Sequence, residues 1–434
     1  MNDTIRTILY EWKERKLPES IPREINLSRY LNIQPSKIIA VTGFRRVGKT
    51  YLVLNLINGL LKSTHREEVV YINFEDERIP PKTEFLSNLI PAIKQTFKKP
   101  IRFLFLDEIH NIPLWSKWLR RVHDTEKIKI FITGSSSKVS TREIPTELRG
   151  RCLEVNLFPL SFKEFLRFKN IQIDLEALKY SEDEKMKMDN ALEEYIYYGG
   201  MPEVVLIPEE KKLELLQEYY KTVLRRDMVE RFKIKNEEVL FAMVRLLLNS
   251  TYFSISKLYN NLKSMNYATG KNTLQRYLSY LESSYFFHPL LILSQKIKQQ
   301  LQTSRKLYFI DNGFISALSL KFTKNFGRLY ENVVFLELIR KYLNKEEIFY
   351  WKNHFGKEVD FVIRENFKIK QLIQVCYEIE EENVRKREIT ALSSAKREFG
   401  CEDLSIITKD YEAEERMRNE RIRFVPLWKW LLHA

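Results

Sequence analysis

Gly43-Phe44-Arg45-Arg46-Val47-Gly48-Lys49-Thr50 follows directly on the apolar run 37–42. The spacing Gly-x-x-x-x-Gly-Lys-Thr suits a loop whose backbone N–H groups curl inward around phosphate oxygens. Glycine at positions 43 and 48 permits the turns and the close approach that such a loop needs. Lys49 would bring a point positive charge to the β- and γ-phosphates of ATP, and Thr50 a hydroxyl to Mg²⁺. From Lys49 through Tyr51 and beyond the spacing is helical, so the positive end of a helix would face the anion. A glycine turn without a ligand is the competing reading; the strand–loop–helix context argues against it. The expected nucleotide-contacting residues are therefore 43–51.

A second constellation lies at Asp107-Glu108, at the end of the apolar run 101–106. A continuous apolar run is what a strand buried on both faces requires. Asp107 at its carboxyl end would reach Mg²⁺ through the water shell, and Glu108 would polarise the attacking water. Taken alone, two acids could equally cap the next helix; the loop at 43–50 favours hydrolysis. Further strands are read at 69–73, 129–133 and 152–157, with helical stretches between them. Alternating strands and helices imply a parallel, doubly wound α/β sheet with ligands at the carboxyl ends of its strands. A strand intervening between the loop strand and the Asp-Glu strand marks the ATPase branch that keeps a catalytic glutamate. Thr133 and Ser135 fall at the end of a neighbouring strand. They either sense the γ-phosphate or simply begin a loop.

These elements occupy only part of the chain. At 434 residues it exceeds one typical core, and two to four domains are expected. No run of eighteen apolar residues occurs and no signal pattern opens the chain, so a cytoplasmic protein with no membrane partner is expected. Cys152, Cys376 and Cys401 are too scattered for a metal or disulfide framework. The net charge of +14 is unevenly spread. Between Val239 and Ile310 the one acid is Glu282, against Arg245, Lys257, Lys263, Lys271, Arg276, Lys296, Lys298, Arg305 and Lys306. Such a stretch attracts a polyanion, and DNA is the expected partner.

The organisation read from periodicity has five parts. Residues 1–36 form a helix (4–16) and connector, 37–160 the P-loop core, and 161–236 a helical lid with the turn 198–203 between its helices. Residues 237–320 read as helices over 253–262 and 269–282 followed by strands over 284–293 and 306–310. That is a winged-helix pattern. Lys271, Asn272, Thr273 and Arg276 would lie on its recognition helix, and Lys296 and Lys298 in its wing. Winged helices also serve as lids or protein contacts; the scarcity of acids favours DNA. Residues 321–434 form an α/β unit with an amphipathic helix at 328–340, strands at 358–363, 371–377 and 404–408, and a helix at 385–399.

In this order of motifs the chain resembles, across nearly its whole length, a family of archaeal and bacterial AAA-type ATPases. These are related to the signal-transduction ATPase clade and carry a C-terminal restriction-endonuclease-like domain. The resemblance rests on 43–50, 106–108, 133–136, 148–151, 157–162, 198–203, 226–230 and 308–313. It implies that Pro202, in Gly200-Met201-Pro202, packs on the adenine. It also implies that Arg149 or Arg151 points at the γ-phosphate of the same subunit or of a neighbour in a homo-oligomer, where an ordinary surface arginine is the alternative. Nucleases of that fold need a helix glutamate, a strand aspartate and a Glu-x-Lys. Glu331 and Asp360 stand at the first two places, but the third reads Gln374-Val375-Cys376. The C-terminal domain is therefore read as a degenerate nuclease that binds DNA or a partner.

The expectation is an ATP-binding, ATP-hydrolysing protein that couples its nucleotide state to DNA. The alternatives are a signalling or scaffold switch with a protein partner and an ATP-dependent nuclease.

Overall fold

Apolar runs without polar alternation become strands covered on both faces, and four of them, with the more polar edge strand Cys152–Asn156, build the first sheet. The computed structural model describes residues 2–134, 148–294, 296–319, 326–342, 347–417 and 420–433. The chain divides into two units, Met1–Phe158 with Ser283–Tyr285, and Pro159–Glu282 with Phe286–Ala434.

In the first unit β1 (Ile38–Thr42), β2 (Val69–Asn73), β3 (Phe103–Asp107), β4 (Lys129–Gly134) and β5 (Cys152–Asn156) form one sheet in the order β2-β3-β4-β1-β5. All its pairs are parallel. The expected α/β sheet is present, but its spatial order refines the sequence reading. β2 intervenes between β1 and β3 along the chain, yet β4 lies between them in space. The crossovers carry α2 (Lys49–Leu60), α3 (Thr83–Thr96) and α4 (Trp115–Thr125), while α1 (Asn2–Glu14) packs against α3 and β2. Trp12 fastens α1 by donating from Nε1 to Val69 O at 2.7 Å.

The second unit opens with α5 (Phe162–Phe168), started by a capping box. Glu164 N–H donates to Ser161 Oγ at 3.1 Å, and Ser161 N–H donates to Glu164 Oε2 at 3.0 Å. There follow α6 (Glu182–Tyr198), α7 (Pro202–Leu206) and α8 (Glu209–Thr222). Within the region read as a helical lid, α8 runs on into a π-helical stretch, Val223–Glu230. α9 (Glu237–Leu248) precedes a three-stranded antiparallel sheet, β6-β8-β7, and α10 (Ile255–Ser264) and α11 (Lys271–Ser283) lie between its first two strands in the chain. Its strands are β6 (Tyr252–Phe253), β7 (Phe287–Leu290) and β8 (Arg305–Phe309). The strand read over 284–293 is thus shorter, and the start of the helix read over 253–262 belongs to β6. The β7–β8 connection contains α12 (Ile297–Gln302), so Lys298 lies on a short helix and Lys296 immediately before it.

α13 (Asn312–Leu318) and α14 (Phe326–Lys341) lead to a six-stranded sheet in the order β13-β14-β12-β11-β10-β9. Its strands are β9 (Ile348–Lys352), β10 (Glu358–Glu365), β11 (Lys368–Cys376), β12 (Leu404–Thr408), β13 (Ala413–Met417) and β14 (Glu420–Pro426). α15 (Glu382–Phe399) packs on β10 and β11, and α16 (Leu427–His433) closes the chain. Phe349, Val359, Leu372, Leu392, Ile406 and Phe424 share its core. α14 is not amphipathic as expected. Leu329, Tyr330, Asn332, Val333, Phe335, Leu336 and Ile339 are all buried, so little of its circumference meets solvent.

Candidate nucleotide site

The loop after β1 is built as its residue types demand. Gly43 has φ 143°, and a Cβ there would stand 2.2 Å from Leu157 O, so no other residue fits. Gly48, with φ 97°, leads into α2 and carries no side chain to cap it. The first N–H groups of α2 therefore remain suited to an anion. Phe44 and Val47 are buried and hold the loop to the core, while Arg46 is exposed and Tyr51 is 56% exposed. Arg45 is partly exposed. The Lys49 side chain, buried, lies along the loop and donates to Gly43 O at 3.1 Å and Phe44 O at 3.0 Å.

A residue the sequence reading did not single out also belongs here. Arg23, in the connector before β1, donates from Nη1 to Val47 O and from Nη2 to Phe158 O, both at 2.8 Å. One guanidinium thereby joins the phosphate loop to the segment after β5. Its only sequence signal is an arginine after a proline in a polar connector, which spacing rules do not read.

Asp107 ends β3 and is nearly fully buried. Three hydroxyls converge on it. Thr50 Oγ1 and the Tyr71 hydroxyl donate to Oδ2 at 2.8 and 2.7 Å, and Thr133 Oγ1 donates to Oδ1. Thr133 Oγ1 in turn accepts the Glu108 N–H at 3.0 Å. The sheet order explains this: β4 lies between β1 and β3, so Thr133 at its end reaches the Asp-Glu pair. Tyr71 comes from β2 on the other side of β3, and no motif announces it. Burial, with Asp107 beside it, raises the Tyr71 phenol well above the usual range, so it stays a donor.

Glu108 is buried, with left-handed backbone at φ 53°. Its Oε2 lies 3.2 Å from His110 Nδ1. Glu75 belongs to the same electrostatic environment. Burial first, and Glu108 second, raise its carboxyl above the usual range, against the lowering effect of Arg45. Thr50 and Asp107 present adjacent hard oxygen donors, which fits Mg²⁺ held by one carboxylate, waters and substrate phosphates. Among the described residues no group of three or more His, Cys, Asp or Glu could hold a metal unaided.

Other expected residues are not brought to this place. Ser135 lies outside the described residues. Arg151 precedes β5, where its carbonyl accepts the Ile38 N–H at 2.8 Å, at the start of β1. Gly43 follows the far end of that five-residue strand, about 16 Å away at ~3.3 Å per residue. Arg151 is instead forked onto Asp124, at 2.8 and 2.9 Å, and Arg149 is exposed. Arg151 is thus turned to Asp124 at the end of β1 away from the loop, and does not act as a finger within its own subunit in this conformation.

In the second unit Pro202 is the first residue of α7. The turn before it is tightly determined. Gly199 has φ 78°, and a Cβ there would stand 1.8 Å from Asp311 Oδ1. Asp311 is buried and accepts N–H bonds from Gly200 at 2.7 Å and Gly313 at 2.9 Å. Next to it Asn312 donates to Ile196 O at 2.9 Å and Leu329 O at 3.0 Å, and Asn332 donates to Asn312 Oδ1 at 2.8 Å. The motif 308–313 is therefore the clasp of the motif 198–203, a pairing that the sequence could not show.

Lys271, Asn272 and Arg276 are exposed on α11, and Thr273 is half-buried beside them. Lys296 and Lys298 are exposed. Lys306, counted in the basic stretch, is a correction: its side chain is buried and ion-paired, and adds nothing to the surface charge.

Comparison with known proteins matches residues 35–166 to an AAA domain. Residues 189–325 and 326–430 match two domains of unknown function, DUF8612 and DUF4143. An uncharacterized protein of Haemophilus influenzae is 29% identical over 368 residues, 83% of this chain and 88% of that one. Domain III of the replication initiation protein DnaA from Thermotoga maritima aligns with 44% of this chain and 88% of its own at 15% identity. Its TM-score of 0.26 is too low to bear on the argument. The uncharacterized protein MJ1544 of Methanocaldococcus jannaschii is 40% identical over 423 residues, 94% of this chain and 91% of that one. The protein belongs to the family of this relative, and within it residues 35–166 match an AAA domain.

Proposed function

We propose that the protein binds ATP with Mg²⁺ at residues 43–51 and hydrolyses it, and that the nucleotide state governs its grip on DNA. The observation that carries this reading is the convergence of Thr50, Tyr71 and Thr133 on Asp107, one strand away from the buried Lys49. Bound ATP and Mg²⁺ would supply the phosphoryl group and the charge that polarises it. Lys49 and the loop N–H groups neutralise developing negative charge, and Thr50 and Asp107 hold the ion. Glu108 orients the water, with Thr133 fixing its backbone. Pro202 is the proposed contact to the base, and Arg149 or Arg151 serves only across a subunit boundary of a homo-oligomer.

We read α10, α11 and the β6-β8-β7 sheet as a winged helix that presents Lys271, Asn272, Thr273 and Arg276 to DNA, with Lys296 and Lys298 beside them. The six-stranded region is read as a nuclease-like domain without nuclease activity, since Gln374 stands where a carboxylate is needed. A scaffold role has its own supporting observation: Ile297 and Leu301 on α12 are 72% and 57% exposed, which favours an apolar protein contact.

The deciding experiment is ATP turnover with and without single-stranded, duplex and branched DNA, with binding followed as salt rises. Stimulation by one form, with a log–log salt slope of several units, supports the DNA reading. Turnover indifferent to every form, without binding at low salt, supports the protein partner. Cleavage of DNA with Mg²⁺ or Mn²⁺ would restore the nuclease.

A further inference from the structure

Three carboxylates of the second unit converge on one ammonium. Lys306 Nζ, on β8, lies 2.8 Å from Glu331 Oε1 on α14, 2.9 Å from Glu358 Oε1 and 2.6 Å from Asp360 Oδ1, both on β10. The lysine is 1% exposed. The surrounding groups complete the shell. Tyr308 donates to Glu331 Oε1 at 2.6 Å, Tyr252 donates to Glu358, and Val375 N–H donates to Asp360 Oδ2 at 2.9 Å. Lys352 Nζ holds the other oxygen of Glu358 at 3.1 Å. The rings of Tyr252 and Tyr350 stand 5.7 and 5.9 Å from the ammonium.

An ammonium is costly to bury unless it is fully paired. Burial opposes the charge on Lys306, but Asp360 and Glu331 outweigh it and hold the pKa well above the usual lysine value. The same burial raises Asp360 to about 7 despite the lysine. Chemically the shell is a set of hard oxygen donors from two elements around one central cation. The distance to Asp360 lies at the upper end of the 2.3–2.6 Å typical of Ca²⁺, and those to Glu331 and Glu358 exceed it by only a few tenths of an ångström.

We propose that Lys306 is a resident cation, its ammonium filling a three-carboxylate site that would otherwise take a hard metal ion of the size of Ca²⁺. The lysine does two things there. It closes the site to metal in the native protein, and it fixes β8 of the three-stranded sheet to α14 and β10. Removing it leaves Glu331 and Asp360 with no ammonium between them and Glu358 held by Lys352 alone, a gap in charge that a metal ion of that size can fill.

The test compares the full chain with its Lys306→Ala and Lys306→Met variants, purified with Ca²⁺ and then treated with chelator. An Asp107→Asn background removes the carboxylate of the proposed nucleotide site, which touches Tyr71. Terbium emission excited through tyrosine reports binding at the cluster, since Tyr252 and Tyr308 lie against it, and thermal melting reports stability. The expected result is a native protein with no such emission and a melting temperature indifferent to Ca²⁺. The variants should melt lower, regain most of the loss with millimolar Ca²⁺ and bind terbium at least about tenfold more tightly than the native chain. Adding Asp360→Asn should abolish the rescue. Variants that stay insoluble or equally unstable with and without Ca²⁺ would overturn the proposal, as would equal terbium emission from the native chain.

Discussion

The Tyr71 hydroxyl donates to Asp107 Oδ2 at 2.7 Å, from the strand next to the one that ends in the aspartate. Behind it the Trp12 ring lies 5.5 Å from the Tyr71 ring, so α1 buttresses the acid through one intermediary. A hydrogen bond to a buried charged group contributes about 1.5–3 kcal/mol. Tyr71→Phe, which leaves the ring in place, should lower unfolding stability by roughly that amount. Denaturant titration measures it; an unchanged midpoint would show that the other two hydroxyls suffice.

The phosphate-loop lysine and the glutamate should fail in different ways. Lys49→Ala should lose nucleotide binding and turnover together. Glu108→Gln should keep binding while turnover falls by about 10²–10⁴-fold, the usual contribution of a positioned base. Fluorescent-nucleotide titration beside phosphate release separates the two. Unchanged turnover in both variants would dismiss the site.

Arg23 supplies two donors in one plane to carbonyls that the chain separates widely. A lysine cannot reproduce that fork. Arg23→Lys and Arg23→Ala should therefore weaken nucleotide binding alike, with affinity falling several-fold and the fold retained. Isothermal titration checks this, and rescue by lysine would mean that charge alone matters.

Asp311 predicts a pH effect. Burial raises its carboxyl from 3.8 to about 7, against the lowering effect of the Gly200 and Gly313 N–H bonds. The folded chain thus holds a proton that the unfolded chain releases, and stability falls as pH rises from about 4 to above 7. The span corresponds to on the order of 4 kcal/mol. Unfolding free energies at pH 5 and pH 8 should differ less in Asp311→Asn than in the native protein.

Lys271→Ala and Arg276→Ala should each reduce duplex DNA affinity and lower the salt slope by about one unit. Lys306 substitutions should leave that slope unchanged because the side chain is buried. Electrophoretic mobility shifts over a salt series distinguish the two.

The Gly43–Thr50 loop and the Asp107-Glu108 pair were legible as a pattern because each directly follows or ends an apolar strand, β1 or β3. Four of the five parallel strands were legible because a doubly covered strand must be largely apolar, and β5, more polar and at the sheet edge, only by its place after them. What spacing hides is which distant segments meet. Tyr71 and Arg23 approach the site from elsewhere in the chain, and only the β2-β3-β4-β1-β5 order sets Thr133 against Asp107. The same order moved Arg151 away from the loop that its position in the chain suggested. Charge counting failed at Lys306 for a related reason. A lysine contributes to a surface field only where it meets solvent, and three acids remote in sequence decide that it does not.

The clasp of Asp311 on the Gly199-Gly200 turn bears on how the protein can be dissected. A fragment ending near residue 250 would retain the turn but not the carboxylate that accepts the Gly200 N–H. That amide and the Ile196 carbonyl bound by Asn312 would then have to find water, and the glycine backbone would lose its mould. Helices 182–222 are thus not an autonomous module: their geometry is finished by residues more than a hundred positions later.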